Sequence, residues 1–388
     1  MEFPVFSPEP LQNFYKIYLH IPFCCRKCPY CAFYSETAPS EELMHAYIRA
    51  LEREMACWRA FAGAPMKAET LYIGGGTPSL LGGELWKKLF AALDRHVFFA
   101  GSPEITVEAN PGSLREEHLK IWKSWGVSRI SLGVQSFFEE DLRVLRRPHD
   151  ALQAEEAVRQ ALEWDFEVTL DLMFGLPNQI LRKWHENLRK AVGLGVSHLS
   201  LYHLTLEEGT PWGEAPPENL AEGYPMYRWA QYYLKRKGLA QYEVASFARP
   251  GKEARHNLGY WRQEDVLGFG AGAWGYWKGL RYGHVNSVAD YIRAFEKLLS
   301  EDAFQESLGY TEILSSEKRA AERAVLLLRT TWGIPLKAFR RRFGYALTAE
   351  LLQKLHPFMP SLVEHVSGHL RLTPKGMRVA NSIWSELL

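Results

Sequence analysis

Between residues 15 and 204, six short β-rich runs alternate with amphipathic helical stretches, and this alternation leaves few architectures open. The runs are KIYLHI (16–21), TLYIG (70–74), EITVEA (104–109), RISLGV (129–134), EVTLDLMF (Glu167–Phe174) and HLSLYHL (198–204). Each is compact and rich in branched or aromatic residues, as a strand covered on both faces is, and helix-length connections between strands favour parallel pairing. The pattern predicts an α/β fold of repeated βα units around a parallel sheet. Ser113 with Glu116, directly after Pro111-Gly112, reads as a capping box, and Asp150 and Asn178 read as N-caps of two further helices. Five strands carry polar or glycine-rich residues toward their carboxyl ends: GGGTP (74–78), Glu108, Gln135, Asp171 and the Tyr202-His203 pair. Binding groups collect at that end of a βα array because its loops vary while strands and helices hold them, so a single binding face is expected.

Composition narrows the function. The chain has 388 residues, with 46 Lys+Arg against 45 Asp+Glu, so no overall charge bias points to nucleic acid or to a membrane surface. At 47% apolar and 23% charged it reads as globular, and its length allows two or three domains at roughly 100 to 200 residues each. No apolar run is long enough to span a bilayer, and MEFPVFSPEP lacks the basic and apolar stretches of a signal peptide. A cytoplasmic location is expected, with peripheral attachment to the inner face of the membrane as a variant. From 207 to 295 the pattern is mixed: a helix near 218–237, a strand QYEVASFA (241–248) and a second glycine-rich segment, LGFGAGAWG (267–275). The order after residue 301 is a helix (315–329), two shorter helical pieces, a hairpin turning at Ser367-Gly368 and a terminal helix (374–387), which resembles a winged-helix module. FRRRFG (339–344) reads as a solvated helix face.

Four of the five cysteines, Cys24, Cys25, Cys28 and Cys31, fall within eight residues, and none follows Cys57. Crowding of this kind indicates thiolates on a metal rather than disulfides. Cys24, Cys28 and Cys31 follow the first strand as Cys-x3-Cys-x2-Cys. Three thiolates fit a [4Fe-4S] cluster with one iron open to an outside ligand, whereas electron-transfer clusters and structural zinc sites are normally closed by four protein ligands. Zinc with His20 or Cys25 as the fourth ligand is the alternative. Cys25 otherwise reads as a buried or spare thiol and Cys57 as a core residue. The glycines of GGGTPS (74–79) let backbone groups approach a charged ligand closely, and Thr77 adds a hydroxyl.

Tyr18, the three-cysteine motif, GGGTP, VEANP (107–111), SLGVQSF (131–137), Arg147-x-His149, DLMFGLP (171–177) and HNLGYW (256–261) together resemble radical S-adenosylmethionine (SAM) proteins of the HemN/HemW group. The resemblance covers nearly the whole chain. It implies a partial (βα)6 barrel over 1–206 with the cluster loop, an accessory α+β region over 207–300 carrying HNLGYW, and a winged-helix-like module over 301–388. It also implies a [4Fe-4S] cluster on Cys24, Cys28 and Cys31, with SAM chelating the open iron. Carried over residue by residue, Tyr18, Gly75 and Glu108 match contacts to that SAM, Glu108 accepting from ribose hydroxyls. Gly76, Thr77, Gln135, Arg147 and Asp171 match positions that hold a second SAM in HemN-like proteins, so one or two SAM molecules are expected. Without the resemblance, Gln135 and Asp171 would read as strand-end hydrogen bonding to loops.

The cofactors imply reductive cleavage of SAM to a 5'-deoxyadenosyl radical, which the barrel shields from water, with a flavodoxin or ferredoxin as reductant. Within the group, the coproporphyrinogen III dehydrogenases extend the motif to a fourth cysteine two residues after the third. This chain has Phe33 there, with 23 residues before Cys24, and in both respects it resembles the HemW branch, associated with heme binding and delivery. HNLGYW points the same way. In a helix, His256 and Tyr260 share a face, so His256 can reach heme iron while Tyr260 and Trp261 flank the porphyrin; alternatively the motif fixes the accessory region against the barrel. His203 is a further candidate at the SAM cavity, and Trp274 stands where relatives often have His or Ser. The expected function is a heme chaperone serving an acceptor such as a respiratory membrane protein. The alternative is a radical SAM enzyme acting on a porphyrin, as an oxidative decarboxylase or methyltransferase. The chain is expected as a monomer or homodimer without nucleic acid.

Overall fold

All six runs form strands, for the reason their composition suggests. The computed structural model describes residues 14–297 and 301–388. The strands are β1 (Tyr15–Ile21), β2 (Met66–Gly75), β3 (Val97–Ala109), β4 (Arg129–Gln135), β5 (Glu167–Phe174) and β6 (His198–His203). Ile17, Leu19, Leu71, Ile73, Val107, Leu132, Leu170 and Leu199 are fully buried, as covering both faces of parallel strands requires. β2 and β3 begin well before the expected starts, because a register shift between Ala68 and Thr70 interrupts the apolar pattern there.

The first helix, α1 (Glu41–Ala62), starts where the Ser40 side chain accepts from Leu43 N and stops at Gly63, whose left-handed φ of 67° releases the chain. Asp150 is a true N-cap, accepting from Gln153 N at 2.7 Å while Gln153 accepts from Asp150 N at 3.0 Å. Ser113 and Asn178 are not caps. The Ser113 hydroxyl lies 2.6 Å from that of Ser79, and the next helix, Glu116–Trp125, begins after Arg115. Asn178 takes a left-handed φ of 56°, three residues ahead of the helix Leu181–Gly193, whose cap position is Ile180. In both cases a tertiary contact or a loop turn takes the residue that local spacing offers to a helix.

The chain divides into two units, residues 1–27, 33–131 and 264–312 in the first and 28–32, 132–263 and 313–388 in the second. In the first, β1 lies between two parallel neighbours, β2 and Val266–Phe269, and β2 pairs in parallel with β3. The second glycine-rich segment continues into the antiparallel strands Trp274–Trp277 and Leu280–His284.

In the second unit, β5 and β6 are parallel and Ser246–Ala248 pairs antiparallel with β6. The single strand expected over 241–248 is instead a tight hairpin of Ala240–Gln241 and Ser246–Ala248, closed by Tyr242 N donating to Ser246 O at 3.1 Å. No Gly, Asn or Asp marks this turn, so composition alone does not reveal it. The helix expected over 218–237 is Gly223–Arg236. The same unit ends in the expected winged-helix order: Ser316–Leu328, then a helix broken at Gly344, then the hairpin Val363–Val366 and His369–Leu372 turning through Ser367 and Gly368. The terminal helix is two pieces, Pro374–Met377 and Ala380–Trp384. Leu328, Ile334, Leu355, Val363, Leu370 and Ile383 are its fully buried centre, and Arg340, Arg341 and Arg342 are exposed as expected. Among the described residues no helix is long and apolar enough to cross a membrane.

Candidate functional site

The first unit gathers Tyr18, Cys24, Gly75, Gly76, Thr77 and Glu108 around the carboxyl ends of β1, β2 and β3. Tyr18 and Tyr72 are register partners on adjacent strands, and their rings stack at 6.1 Å. Tyr72 Oη donates to Glu108 Oε1 at 2.6 Å and Gly75 N donates to Oε2 at 2.9 Å, fixing both carboxylate oxygens. Burial pushes the Glu108 carboxyl up, with the two hydrogen bonds acting against it. On the other side, Tyr18 Oη lies 2.8 Å from His20 Nδ1, and His20 Nε2 lies 3.2 Å from Tyr34 O. Burial pulls the His20 imidazole down to about 4. Both of its ring nitrogens are engaged by protein groups, which argues against His20 as a zinc ligand.

The glycine run is packed against its own chain. A Cβ on Gly74 would meet Tyr72 and Glu108, on Gly75 the His20 ring at 2.6 Å, and on Gly76 the carbonyl of Phe23 at 2.6 Å. Gly75 also has a φ of 115°. Thr77 Oγ1 stands 3.7 Å from Cys24 Sγ, which brings the glycine turn to the edge of the cysteine loop.

The second unit holds Cys28, Cys31, Gln135, Arg147, Asp171, His203 and the HNLGYW segment. Arg147 Nη1 reaches Cys28 Sγ at 3.6 Å, and Nη2 donates to Gly133 O at 2.7 Å. Burial works against its charge, yet Tyr30 and Cys28 together hold the guanidinium above its ordinary value. Burial likewise pushes the Tyr30 phenol up, against the pull of Arg147. His149 is tied to Val134 O at 3.1 Å and drawn down to about 3 by burial, with Arg147 adding to the effect. Gln135, the last residue of β4, has a φ of 66°, a conformation side chains other than Gly, Asn and Asp seldom adopt. Asp171 is half-buried within β5, in register with Ser200. The His203 ring stacks on Phe174 at 5.1 Å, and this partial desolvation draws it down although the residue as a whole is exposed.

HNLGYW lies in the helix Arg255–Trp261, so His256 and Tyr260 do share a face: Nε2 and Oη are 3.3 Å apart. His256 is only 1% exposed, while Tyr260 and Trp261 are partly exposed. Trp274 is half exposed beside Tyr310, with ring centres 5.1 Å apart.

The cysteine loop crosses the unit boundary, with Cys24 in the first unit and Cys28 and Cys31 in the second. Among the described residues, no three His, Cys, Asp or Glu side chains already stand as closely as metal ligands. The donor set nevertheless suits an iron-sulfur cluster: none of the three cysteines is in a disulfide, Cys31 N closes a turn on Cys28 O at 3.2 Å, and Arg147 places a cation beside one sulfur. Cys25 is exposed rather than buried, and Cys57 is half-buried on α1. Reading the sequence alone did not find Tyr72 and Tyr30. For Tyr72 a signal existed in the matching aromatic positions of two adjacent strands; for Tyr30 there was only its place between Cys28 and Cys31.

The radical SAM superfamily pattern matches residues 18–191, and the HemN C-terminal domain pattern matches residues 314–379. The chain is 35% identical to the Bacillus subtilis protein named heme chaperone HemW, over 96% of this chain and 98% of that one. It is 32% identical to the Lactococcus lactis protein of the same name, over 97% and 98%, and 38% identical to the Escherichia coli one, over 67% and 69%. The structure titled coproporphyrinogen III oxidase (HemN) from Escherichia coli, a radical SAM enzyme, is similar in fold at a TM-score of 0.84 and 20% identity, covering 97% of this chain and 90% of that one.

Proposed function

The chain belongs to the HemW-like proteins of the radical SAM superfamily, and from that premise we propose that it binds heme and passes it to an acceptor protein. Cys24, Cys28 and Cys31 are the proposed ligands of a [4Fe-4S] cluster, with SAM at the open iron. When bound, these groups supply one-electron reduction of a sulfonium in a water-poor site. Tyr18, Gly75 and Glu108 hold the SAM. The Glu108 carboxylate, fixed by Tyr72 and Gly75 N, accepts hydrogen bonds from ribose hydroxyls. Gly76, Thr77, Gln135, Arg147 and Asp171 are the proposed contacts to a second SAM, the Arg147 guanidinium serving a carboxylate. Heme is assigned to the HNLGYW helix. His256 is buried against Tyr260, so its service as an iron ligand requires the helix to move and free Nε2.

The observation that carries this reading over porphyrinogen decarboxylation is Phe33, 69% exposed at the place of a fourth cysteine. The test is anaerobic reconstitution with iron and sulfide, followed by hemin titration and by SAM cleavage under a low-potential reductant with and without coproporphyrinogen III. The expected result is uptake of about one heme with three-cysteine cluster absorbance and unaltered coproporphyrinogen. Converting the three cysteines to alanine should abolish that absorbance, and a retained cluster refutes the ligand assignment. A protein that ignores hemin but alters the porphyrinogen is an enzyme, and the chaperone reading falls.

A further inference from the structure

We propose that Arg329 is a positioning residue that ties the HNLGYW helix to the winged-helix module, so that the seating of the module sets the placement of His256. The inference rests on the assignment of heme to that helix. Several observations within the second unit support it.

The Arg329 guanidinium stands over the ring of Trp261 at 4.2 Å and over the ring of Trp384 at 5.0 Å. Trp261, the last residue of the motif, packs on a small apolar cluster of Tyr242, Ala248 and Leu258. Trp384 packs on the core of the module. One cation therefore bridges two separate hydrophobic clusters. Arg329 Nε is buried without a hydrogen-bond acceptor among the described residues, so the ring faces are a main source of compensation for its burial.

The backbone repeats the connection. Arg329 O accepts from Val244 N at 2.9 Å, and Thr331 N donates to Tyr242 O at 3.0 Å, which lays the exit of the helix Ser316–Leu328 along the 242–244 hairpin. The Tyr242 phenol then accepts from Ala254 N, the N-cap of the motif helix, at 3.2 Å, and lies 2.7 Å from His198 Nε2 at the start of β6. Glu243 in the same turn is buried and is the carboxylate that acts on Arg329, opposing the effect of burial. The helix Ser316–Leu328 also packs directly on the helix Arg255–Trp261. Its last turn thus contacts both ends of the HNLGYW helix, the start through Tyr242 and the finish through Trp261.

A tie of this kind can be read in both directions. Engagement of the module by an acceptor would shift the helix that carries His256, and release of heme would be felt at the module.

The test compares the full chain with Arg329→Gln, Arg329→Lys, Trp384→Leu and His256→Ala, by limited proteolysis of the module and by hemin titration with the Soret spectrum recorded. Loss of two desolvated cation–π contacts predicts about tenfold weaker heme binding and a shifted Soret maximum for Arg329→Gln. Its module should also be cut faster, and Arg329→Lys should recover part of both effects. Trp384→Leu probes the same tie from the module side should Arg329→Gln fail to fold. A loosened module with heme affinity and spectrum unchanged, while His256→Ala alters them, overturns the coupling. Unchanged heme binding in His256→Ala instead defeats the heme assignment, and the proteolysis arm still decides whether Arg329 holds the module.

Discussion

Replacing Glu54 by glutamine should unlock the second glycine-rich segment. Glu54 lies on α1 with no exposure, and its carboxylate receives Gly270 N at 3.0 Å and the Tyr291 hydroxyl, and pairs with His284 Nε2 at 2.9 Å. His284 Nδ1 lies 3.1 Å from Ser307 Oγ. Burial alone would discharge the imidazole, yet Glu54, joined by the Gly268 and Ser307 backbone, more than offsets it and the His284 pKa is raised. Removing one partner of a buried pair costs about 3–5 kcal/mol, because a charge or its donors are left unpaired. About 3 kcal/mol of lost local stability raises amide exchange roughly 150-fold. Hydrogen exchange of peptides spanning 268–275 measures this directly and does not require two-state unfolding of the whole chain. A raised folded-state pKa means that the stabilisation is complete below the ordinary histidine value and declines as pH rises through the raised one. Protection, corrected for intrinsic exchange, should therefore fall from acid toward neutral and alkaline pH in the wild type and stay flat in Glu54→Gln. Tyr47 and Tyr291, which face the pair, are pushed up by burial and remain protonated throughout. The reasoning is refuted if Glu54→Gln exchanges within threefold of the wild type, or if Glu54→Gln and His284→Gln add without coupling in the double variant.

Three further outcomes follow from the site. Gly75→Ala combines a φ of 115° with a Cβ placed 2.6 Å from the His20 ring, so it should destabilise the chain by about 2–5 kcal/mol in urea unfolding; a cost near zero would refute the close packing. Tyr72→Phe removes a 2.6 Å donor from Glu108 and leaves burial to raise that carboxyl further. SAM affinity, followed by calorimetry, should drop about tenfold, and binding should fade at a higher pH than in the wild type; an unchanged pH dependence removes Glu108 as the ribose acceptor. Gln135→Gly relieves the φ of 66° and should raise stability by up to about 1 kcal/mol while lowering the number of SAM molecules bound from two to one. Undiminished stoichiometry assigns Gln135 to the loop rather than to the ligand.

The six strands were legible because a parallel strand covered on both faces must be a near-continuous apolar run. The HNLGYW helix was legible because its i,i+4 pair needs only local geometry. Contacts made at long range were not. Glu54 and His284 belong to segments more than two hundred residues apart, and neither neighbourhood carries a pattern that announces the other. The Ser113 cap failed for a related reason: spacing records what a residue offers locally, and the hydroxyl of Ser79 made the better offer. The hairpin at 242–245 went unseen because its turn is built by hydrogen bonds to Arg329 and Ser246 rather than by turn residues. The proposed cofactor contacts Gln135 and Asp171 rest on the family resemblance alone, since on their own they are ordinary strand-end polar groups.

The glycine run shows how a sequence pattern can have a structural cause other than the one it first suggests. Glycines after a strand suggest room for a ligand, but Gly74, Gly75 and Gly76 are each closed by atoms of this chain: Glu108 and Tyr72, His20, and the Phe23 backbone. Their absent side chains let β2 and its turn press onto the end of β1, and that closeness brings Gly75 N onto Glu108 and Thr77 Oγ1 toward Cys24. The carboxylate is thereby fixed by two donors before any ligand arrives, which removes its own share of the ordering cost of binding. A larger residue in the run would disturb the site by displacing Glu108 and His20, with no need to touch the ligand. Loss of SAM affinity in Gly75→Ala should consequently track the loss of stability, whereas Gln135→Gly should separate the two.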